Sequence, residues 1–458
     1  MMNLETLKAT LVDQEAHRLE NVERYKDFLV DNSIYPPYRE VESVSTEPEV
    51  IVEGRSVLMF CSNNYLGLST NPEVVQAAAE QLHIHGLGPG GSRILSGNIA
   101  ILNSIERKIA EFVGTEDSLT FPTGYMANLS VFHGLLDPFL TPLAPYRKGA
   151  AVVLCDEYNH ATVFDGIALS AAKRVLVQHN DMDDLERKLI KYADKSPKMI
   201  VTEGVWSLDG RLSPLPQVAE LAERHGAILM VDDAHGVGWL GPRGGGTVQH
   251  YGLEGHVDVI MGSFDKALGG IGGFLAGKKK IIDYLRISAR AYMFSSSMQG
   301  LNAGAMIRAM DICMEQPVHR ERLHANAKTL VDGLRRMGFT VWGDGTVPVA
   351  PLIIGDEMAS VAFSNRIFEL GVLAPPFRYP AAPMGTARIR VTPMATHSPE
   401  HLERALAIFE QAGREMGLLT SPGQPISRRR HKAKLARRLA AQRHVQFHGP
   451  DHPHGRCA

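Results

Sequence analysis

Short apolar runs alternate with amphipathic segments along most of this chain. From Leu58 onward, runs such as "KRVLV", "KMIVTEG", "AILMVDDAHG" and "DVIMGSF" are separated by stretches such as "ILNSIERKIAEFV" and "PLPQVAELAERHG", whose apolar residues recur at helical spacing. Continuous apolar runs are typical of strands buried on both faces, and their alternation with helices favours a parallel sheet covered by helices. The pattern predicts an α/β fold built on a large, mainly parallel sheet.

Changes in this pattern divide the chain into four parts. Residues 1–57 read as an N-terminal arm with an early amphipathic helix and the two prolines of "YPPYRE". Residues 58–300 carry the α/β pattern of a large domain, and residues 301–420 carry a smaller α+β pattern. The stretch "SPGQP" is typical of a linker, and we expect residues 421–458 to form a basic, disordered tail.

Composition narrows the class of protein. The 458 residues are 44% hydrophobic and 21% charged, as in ordinary globular proteins. No apolar run reaches the roughly 18 residues that would indicate a membrane helix, and the first residues lack the apolar core of a secretory signal. The four cysteines show neither metal-binding nor disulfide spacing. We therefore expect a cytoplasmic protein without a metal centre.

Charge is distributed unevenly along the chain. Nine of the 48 basic residues and one of the 50 acidic residues lie in 421–458, which leaves 39 basic and 49 acidic residues in the rest of the chain. Nucleic-acid binding usually requires a basic surface, which an acidic body does not supply. We expect no nucleic-acid partner.

Four of the apolar runs end in side chains that can carry chemistry. In open parallel sheets, ligands bind beyond the carboxyl ends of the strands. Acids, imidazoles, hydroxyls and an amine at neighbouring strand ends therefore predict a functional site at that edge. The residues concerned are Asp156, Asn159, His160, Glu203, Ser207, Asp232, Asp233, His235, Ser263 and Lys266.

The lysine of "GSFDKALGGIGG" indicates covalent chemistry with a carbonyl compound. Pyridoxal 5'-phosphate (PLP) needs such a lysine, an acid at its ring nitrogen, a flat stacking partner and a phosphate site. Lys266, Asp232 and His160 match the first three requirements. Free N–H groups at the predicted helix start in "FPTGYMAN" favour a phosphate. The predicted phosphate contacts are Thr123, Gly124, Tyr125 and Ser263.

Other cofactors fit the sequence less well. The stretch "GLGPGG" has dinucleotide-site spacing, but a helix-like segment precedes it where a strand is required. No ATP-binding glycine pattern surrounds Lys266. His448, His452, His454 and Cys457 could together hold a metal ion, although an adventitious cluster in a disordered tail is the favoured interpretation.

Ten motifs in order give the chain its resemblance to the α-oxoamine synthases, which are fold-type-I PLP enzymes. The resemblance covers residues 58–419, and the family includes serine palmitoyltransferase, 8-amino-7-oxononanoate synthase and 2-amino-3-ketobutyrate CoA ligase. The motifs do not rank these members. They are "SNNYLGL", "GPGGSRILSGN", "FPTGYMAN", "DEYNHATVFDG", "HNDMDDLE", "TEGVWSLDG", "VDDAHGVGWLG", "SFDKALGGIGG", "YMFSSS" and "GTARIRVTPMATHS".

The resemblance implies a fold, a reaction and an assembly. The fold would be the PLP-dependent transferase fold, with a large domain and a smaller C-terminal domain. The reaction would condense a small amino acid (glycine, alanine or serine) with an acyl thioester of coenzyme A or acyl carrier protein. The product would be an α-amino ketone, usually formed with loss of CO2. The assembly would be a homodimer with shared active sites.

The resemblance also assigns roles to residues of the matching motifs. Lys266 would form the Schiff base and move the Cα proton, Asp232 would pair with the ring nitrogen, and His160 would stack on the ring. His235 would bind the phenolic oxygen, with Ser207 also at the cofactor. The remaining contacts would be Ser263 and, from the partner subunit, Ser296 to phosphate, with Arg388 and Asn63 (Asn64 as the alternative) to the substrate carboxylate.

Two positions depart from the family pattern. Leu102 in "ILNSIE" stands where the family often has histidine, and Asp265 stands where relatives usually have glycine, serine or threonine. Neighbouring residues at a strand end usually point apart. We therefore expect the Asp265 carboxylate to face away from Lys266.

Some alternatives stay open at this point. The basic tail could attract an acidic acyl carrier protein or an anionic membrane surface, or it could be a solvated tail with no partner. Another fold-type-I activity, such as an aminotransferase or an aldolase, would use many of the same residues. A catalytically silent partner subunit is a third possibility, against which the presence of Lys266 argues.

Overall fold

The structure is a computed structural model that describes residues 18–31, 38–136, 150–379 and 381–419. The predicted basic tail and, within the predicted arm, residues 1–17 and 32–37 lie outside these ranges. Within the described residues, no helix is both long enough and apolar enough to cross a bilayer.

Fourteen α-helices alternate with strands in the described part of the chain. The helices are Arg18–Asp31, Pro72–His85, Ala100–Val113, Gly124–Leu136, Ala161–Leu169, Met182–Lys191, Leu215–Arg224, Thr247–His250, Lys279–Ser288, Arg290–Phe294, Gly300–Glu315, Val318–Arg336, Glu357–Leu370 and Pro399–Met416. The strands are β1 Glu49–Val52, β2 Arg55–Met59, β3 Asp117–Phe121, β4 Val152–Asp156, β5 Lys173–Val177, β6 Lys198–Glu203, β7 Val205–Trp206, β8 Arg211–Leu212, β9 Ile228–Asp232, β10 Val259–Ser263, β11 Gly273–Gly277, β12 Ala350–Gly355, β13 Val372–Leu373, β14 Pro376–Phe377 and β15 Ala387–Val391.

A seven-stranded sheet forms the centre of the large domain, in the order β3-β11-β10-β9-β6-β4-β5. β10, β9, β6, β4 and β5 are mutually parallel, and β11 runs antiparallel to both of its neighbours. The predicted mainly parallel sheet is confirmed. The carboxyl ends of β3, β4, β6, β9 and β10 therefore meet along one edge.

Both faces of this sheet are buried, which explains the continuous apolar runs in the sequence. On β9, Leu229 and Val231 pack into one core cluster and Met230 packs into the other. On β4, Leu154 and Val153 divide between the two clusters in the same way. Each strand thus contributes alternate side chains to two layers of helices.

The smaller domain is built on the sheet β12-β15-β14. Leu330, Phe363, Ile389 and Phe409 form its core with neighbours from the last three long helices. The short strands β1 and β2 join β13 in a separate sheet, in which Leu58 pairs with Val372. Residues from the predicted arm therefore pack with the small domain, through a long-range pairing that no local pattern signals.

Candidate active site

The sheet topology brings the predicted site residues to one edge. In the sheet register, Asp232 lies directly opposite Glu203 of β6 and Met261 of β10. The loops that follow β3, β4, β6, β9 and β10 therefore surround a common space. This is the edge where parallel sheets bind ligands.

A tight glycine contact shapes an anion site at the start of the helix Gly124–Leu136. A Cβ atom on Gly124 would lie 2.8 Å from Met261 Cε and 3.2 Å from Ser263 Oγ, and one on Gly273 would lie 2.6 Å from Gly124 Cα. Backbone N–H groups of the first helical turn thus open beside the Ser263 hydroxyl, an arrangement that favours a phosphate.

Thr123 and Tyr125, both predicted to contact the phosphate, make different contacts in the structure. The Thr123 hydroxyl accepts a hydrogen bond from the Met126 N–H at 3.2 Å and so caps the helix. The Tyr125 hydroxyl donates to Asp165, and the Tyr125 side chain is exposed. Tyr125 can contribute its backbone N–H to the cradle, whereas its ring lies outside.

Asp232 is a buried carboxylate held in a fixed orientation. Asn128 Nδ2 donates to Asp232 Oδ2 at 2.8 Å, and the Ala234 N–H donates to Oδ1 at 3.2 Å. Asn128 Nδ2 also donates to Thr162 Oγ1 at 2.8 Å, and this hydroxyl lies 2.9 Å from His160 Nδ1. A chain of hydrogen bonds therefore links the predicted ring-nitrogen acid to the predicted stacking histidine.

His160 is a neutral imidazole at the start of the helix Ala161–Leu169. Burial in the cleft lowers its pKa, the Asp232 charge opposes this shift, and the charges of Lys266 and Arg390 reinforce it. The net effect keeps the ring uncharged at neutral pH. An uncharged flat ring suits stacking on an electron-poor heterocycle.

Lys266 follows β10 and its side chain is mostly buried. Its Nζ lies 3.7 Å from Asp265 Oδ1, and the Asp265 carboxylate also accepts a hydrogen bond from the Ser263 hydroxyl. The expectation that Asp265 faces away from Lys266 is wrong. β10 ends at Ser263 and the chain turns back at once, so strand alternation does not apply to Asp265.

The glycines after Lys266 allow this segment to pack closely against neighbouring backbone. Gly269 has a φ of +75°, and a Cβ there would lie 2.4 Å from the Ser69 N atom. A Cβ on Gly270 would lie 2.3 Å from Met306 Cε. The run of glycines therefore seats the lysine loop against the turn at Ser69 and the helix Gly300–Glu315.

His235 is also held neutral. Burial lowers its pKa well below the usual value, and the charges of Lys266 and Arg390 lower it further. Its Nδ1 lies 2.8 Å from the hydroxyl of Tyr65, whose own pKa burial raises to about 12. The hydrogen bond between the phenol hydroxyl and this ring nitrogen fixes the orientation of the imidazole.

Glu203, the last residue of β6, contacts two loops of the site. Its buried carboxylate accepts the backbone N–H groups of His160 and Ser207, while burial and the nearby Asp232 raise its pKa well above the usual value. The loops that carry the predicted stacking ring and the predicted serine are therefore anchored to one side chain.

The two arginines of "TARIR" have different surroundings. Arg388 is fully buried, where its Nη1 donates to the Leu208 carbonyl at 2.6 Å and its guanidinium lies 4.5 Å from the Trp342 ring centre. Arg390 instead donates to Asn63 Oδ1 at 2.9 Å. The structure brings Asn63 together with Arg390, and it does not bring Asn63 together with the predicted Arg388.

Residue Asn64, the alternative to Asn63, is buried in local structure. Its Nδ2 donates to the Ser69 hydroxyl at 3.0 Å and to the Thr46 carbonyl. Asn63 is thus the asparagine that reaches the arginine beside the site. Ser296 lies exposed in the stretch after the helix Arg290–Phe294, and its contact with a partner subunit stays a prediction.

Leu102, which departs from the family pattern, is a core residue. It lies on the buried face of the helix Ala100–Val113 and is fully buried in the core. Four residues later, Glu106 forms two 3.0 Å contacts with Arg93 and accepts the N–H and hydroxyl of Thr120 at 3.0 Å. This ion pair connects the "GPGGSRILSGN" segment to β3.

Four further residues at the site are absent from the sequence-based set. They are Tyr65, Asn128, Thr162 and Arg390. Asn128 lies one helical turn after Gly124 and so shares its face, and Thr162 follows His160 by two residues. These spacings are visible in the sequence, but only the tertiary structure shows which partners they meet. Among the described residues, no group of three His, Cys, Asp or Glu side chains could hold a metal ion.

Comparisons with known proteins bear on this arrangement. 8-Amino-7-oxononanoate synthases of Thermosipho melanesiensis and Bacillus velezensis are each 39% identical to this chain, over 86% of it and 97% of their own length. The family model "Aminotransferase class I and II" matches residues 55–409. The chain belongs to the α-oxoamine synthases of this family.

Solved structures agree with this family assignment. Serine palmitoyltransferases from S. paucimobilis and Sphingomonas wittichii superpose with TM-scores of 0.81 and 0.82 at 29% identity. The alignments cover 88% and 89% of this chain and 99% and 100% of theirs. A third serine palmitoyltransferase structure, also with a TM-score of 0.81 at 29% identity, contains PLP bound as an internal aldimine. The predicted fold-type-I transferase fold is confirmed, and this α-oxoamine synthase is a PLP-dependent acyltransferase that condenses an amino acid with an acyl thioester.

The residues at the strand ends fit PLP. The helix start at Gly124 and the Ser263 hydroxyl match the phosphate, and the absence of a side chain at Gly124 allows these two groups to lie close together. The fixed Asp232 carboxylate matches the ring nitrogen, the neutral His160 ring matches the ring face, and Lys266 matches the aldehyde carbon. When bound, PLP supplies an electron-poor ring that withdraws electrons from the Cα of an amino acid.

Proposed function

We propose that this α-oxoamine synthase condenses alanine with a seven-carbon dicarboxylic acyl thioester to form 8-amino-7-oxononanoate. The observation that carries the proposal is the 39% identity to synthases of that name over most of both chains. The name describes a nine-carbon acid with a ketone at C7 and an amine at C8. Disconnection between these carbons gives a seven-carbon diacid and, after CO2 is restored, alanine.

The chain's own residues divide the work of this reaction. We assign the substrate carboxylate to Arg390 and Asn63, in place of the predicted Arg388, because Arg388 already donates to Leu208 and Thr386. A guanidinium fork suits a carboxylate. Lys266 takes the Cα proton and returns one. The Cα–acyl bond forms as the thiol leaves, and CO2 then departs from Cα.

The neutral histidines take supporting roles. Tyr65 holds the His235 ring, whose other nitrogen would bind the phenolic oxygen of the cofactor. His160 would cover one ring face. Asp232 would pair with the ring nitrogen and keep it protonated. Ser207, held by its backbone contact to Glu203, would lie beside the same group.

A substrate panel tests the proposal. Purified enzyme is mixed with PLP, with alanine, glycine or serine, and with seven-carbon diacid or sixteen-carbon thioesters, each supplied on coenzyme A and on acyl carrier protein. We expect a product by mass spectrometry with alanine and the seven-carbon diacid. A product only from serine and the long acyl chain would replace this proposal with a serine palmitoyltransferase activity, which the 29% identical structures make the second candidate.

The same panel addresses the basic tail. Residues 421–458 lie outside the described range, and their nine basic residues would complement an acidic acyl carrier protein. We propose a preference for the carrier-bound thioester that depends on this tail. Equal rates with both donors would leave the tail without a role in donor choice.

We also propose that the enzyme is a cytoplasmic homodimer with shared active sites. Support comes from exposed apolar side chains in the segments beside the predicted Ser296 contact, among them Leu87, Leu95 and Phe294. Ser296 of the partner subunit would complete the phosphate site. The three cysteines of the described residues are free thiols, which suits a reducing compartment.

Asp265 should weaken the binding of PLP. Its half-exposed carboxylate competes for the Ser263 hydroxyl and places a negative charge beside the phosphate cradle. We expect Asp265→Ser to bind PLP up to about fivefold more tightly, the upper range for a half-exposed charge interaction. Absorbance titration of the apoenzyme with PLP measures this affinity.

A matched control for this measurement is Asp332→Ser. Asp332 pairs with Lys328 at 2.9 Å on the exposed face of the helix Val318–Arg336, in the small domain. Its substitution should leave PLP affinity unchanged. Weaker PLP binding by Asp265→Ser would show instead that Asp265 supports the cofactor.

A further inference from the structure

Two residues that follow β5, His179 and Asn180, contact both of the loops that carry predicted cofactor contacts. One loop, residues 156–160, leads from β4 to His160. The other, residues 206–209, contains Ser207 and leads from the end of β7 toward β8. No role in the reaction proposed above uses His179 or Asn180.

Both ring nitrogens of His179 contact buried carboxylates. Nδ1 lies 2.9 Å from Asp156 Oδ1, and Nε2 lies 3.0 Å from Asp209 Oδ2. An imidazole can donate from both nitrogens only when it is protonated. Burial lowers the pKa of His179, but the two carboxylates outweigh burial and raise the pKa to about 9. The ring is therefore a charged bridge between the two loops at neutral pH.

Backbone and ring contacts reinforce this bridge. The Asn180 N–H donates to Asp156 Oδ2 at 2.8 Å, and Asn180 Oδ1 accepts from Trp206 Nε1 at 3.1 Å. The His179 ring stacks on Tyr158 at 4.2 Å and meets the Trp206 ring edge-on at 4.8 Å. Each of the two loops is thus held by a charged contact, an Asn180 contact and an aromatic contact.

The bridge also reaches the small domain. Arg388 donates to the carbonyl of Leu208, which lies between Ser207 and Asp209, and the Tyr158 hydroxyl lies within hydrogen-bonding reach of the same guanidinium. Arg388 and Arg390 share one face of β15 because they are two residues apart. Two loops therefore contact His179 directly, and β15 contacts the same two loops through Arg388.

We propose that His179 is a positioning residue whose charged ring fixes the separation of the 156–160 and 206–209 loops, so that His160 and Ser207 reach the cofactor from their two sides. Glu203 joins the same loops at their backbone, next to the sheet. His179 joins them through the side chains of Asp156 and Asp209. The inference rests on the proposed roles of His160 and Ser207, but not on which amino acid the enzyme uses.

Substitutions that mimic one ring nitrogen at a time test this role. His179→Asn keeps a donor near the Nδ1 position and can retain Asp156, whereas His179→Gln keeps a donor near the Nε2 position and can retain Asp209. His179→Ala retains neither. The readouts are PLP affinity from absorbance titration and the visible circular dichroism of bound PLP, which reports the asymmetric surroundings of its ring.

We expect His179→Ala to weaken PLP binding about tenfold, in the range of coupling energies for residues in one polar network. The dichroism should fall in His179→Ala and His179→Gln and be largely retained in His179→Asn, because Asn still tethers the His160 loop. Wild-type affinity and dichroism in all three variants would overturn the proposal. So would a lower melting temperature with an unchanged dichroism of bound PLP.

Two controls separate positioning from general destabilisation. His225, which lies 3.9 Å from Glu186 near the opposite edge of the sheet, should tolerate His225→Gln without a change in PLP affinity. In a His160→Ala background, His179→Ala should remove little further dichroism. A full additional loss in that background would show that His179 does not act through His160 and would overturn the proposal.

The pH dependence of stability gives an independent readout. The folded-state pKa of about 9 lies above the usual 6.5, so the stabilisation by His179 is complete below about pH 6.5 and is lost as pH rises through about 9. His179→Gln should lack this component, and an identical stability profile in wild type and variant would contradict the charged bridge. The charged or titratable groups that face His179 are Asp156, Glu157, Tyr158 and Asp209, with Arg388 beyond Tyr158.

Discussion

Replacing Lys266 with alanine should abolish turnover, by at least about a thousandfold, while the folded enzyme still binds PLP through its other contacts. Lys266 is the amine that the strand-end geometry places beside the cradle and beside His235 and His160. Its loss removes both the covalent anchor and the group that moves the Cα proton, and a positioned acid–base group alone contributes roughly 10²–10⁴-fold. Mass spectrometry of the product measures turnover.

A chemical readout accompanies the kinetic one. Borohydride should fix PLP covalently to the wild-type chain and leave Lys266→Ala unmodified, as seen in the intact protein mass. Lys278→Ala is the matched control, because Lys278 pairs with Asp258 at 2.6 Å at the other end of β11. Full activity in Lys266→Ala would remove Lys266 from the mechanism.

Replacing Arg390 with glutamine should raise the KM for the amino acid and lower kcat/KM about a hundredfold. Truncating one partner of a buried charge pair costs about 2–5 kcal/mol, and the substrate carboxylate would lose its cation. Asn63→Ala should act in the same direction and less strongly, because its Oδ1 orients Arg390 without carrying charge. Steady-state kinetics with varied amino acid measure both effects.

Arg388→Gln gives the comparison within the same strand. Its guanidinium donates to Leu208 and Thr386 and lies against Trp342, so we expect a lower melting temperature and a smaller change in KM than Arg390→Gln produces. The reverse result, with KM rising mainly in Arg388→Gln, would return the carboxylate contact to the residue that the sequence predicted.

Sequence patterns identified the edge at which the chemistry lies because that inference needs only local information. An apolar run followed by an acid or a lysine marks a buried strand and its carboxyl end, and parallel strands bring such ends together. Asp232, at the end of β9, therefore lies near Ser263 and Lys266, at the end of β10. Local pattern and tertiary structure agree here.

The choice between Arg388 and Arg390 needed the tertiary structure. The two residues have the same parity on β15, so alternation places both on one face. Only the neighbours, Trp342 for one and Asn63 for the other, distinguish them. The orientation of Asp265 was predicted wrongly for a different reason. Strand alternation holds only within a strand, and β10 ends at Ser263, two residues before Asp265.

The lysine-bearing segment has a consequence beyond catalysis. β10 and β11 form an antiparallel pair closed by the register Ser263–Gly273, so Lys266 lies on a hairpin loop whose two ends both belong to the phosphate cradle. The other wall of the cradle is the helix that starts at Gly124, far away in the chain. A cofactor held by both acts as a removable cross-link between distant segments, and the enzyme that has lost it must be the more easily opened form at this edge.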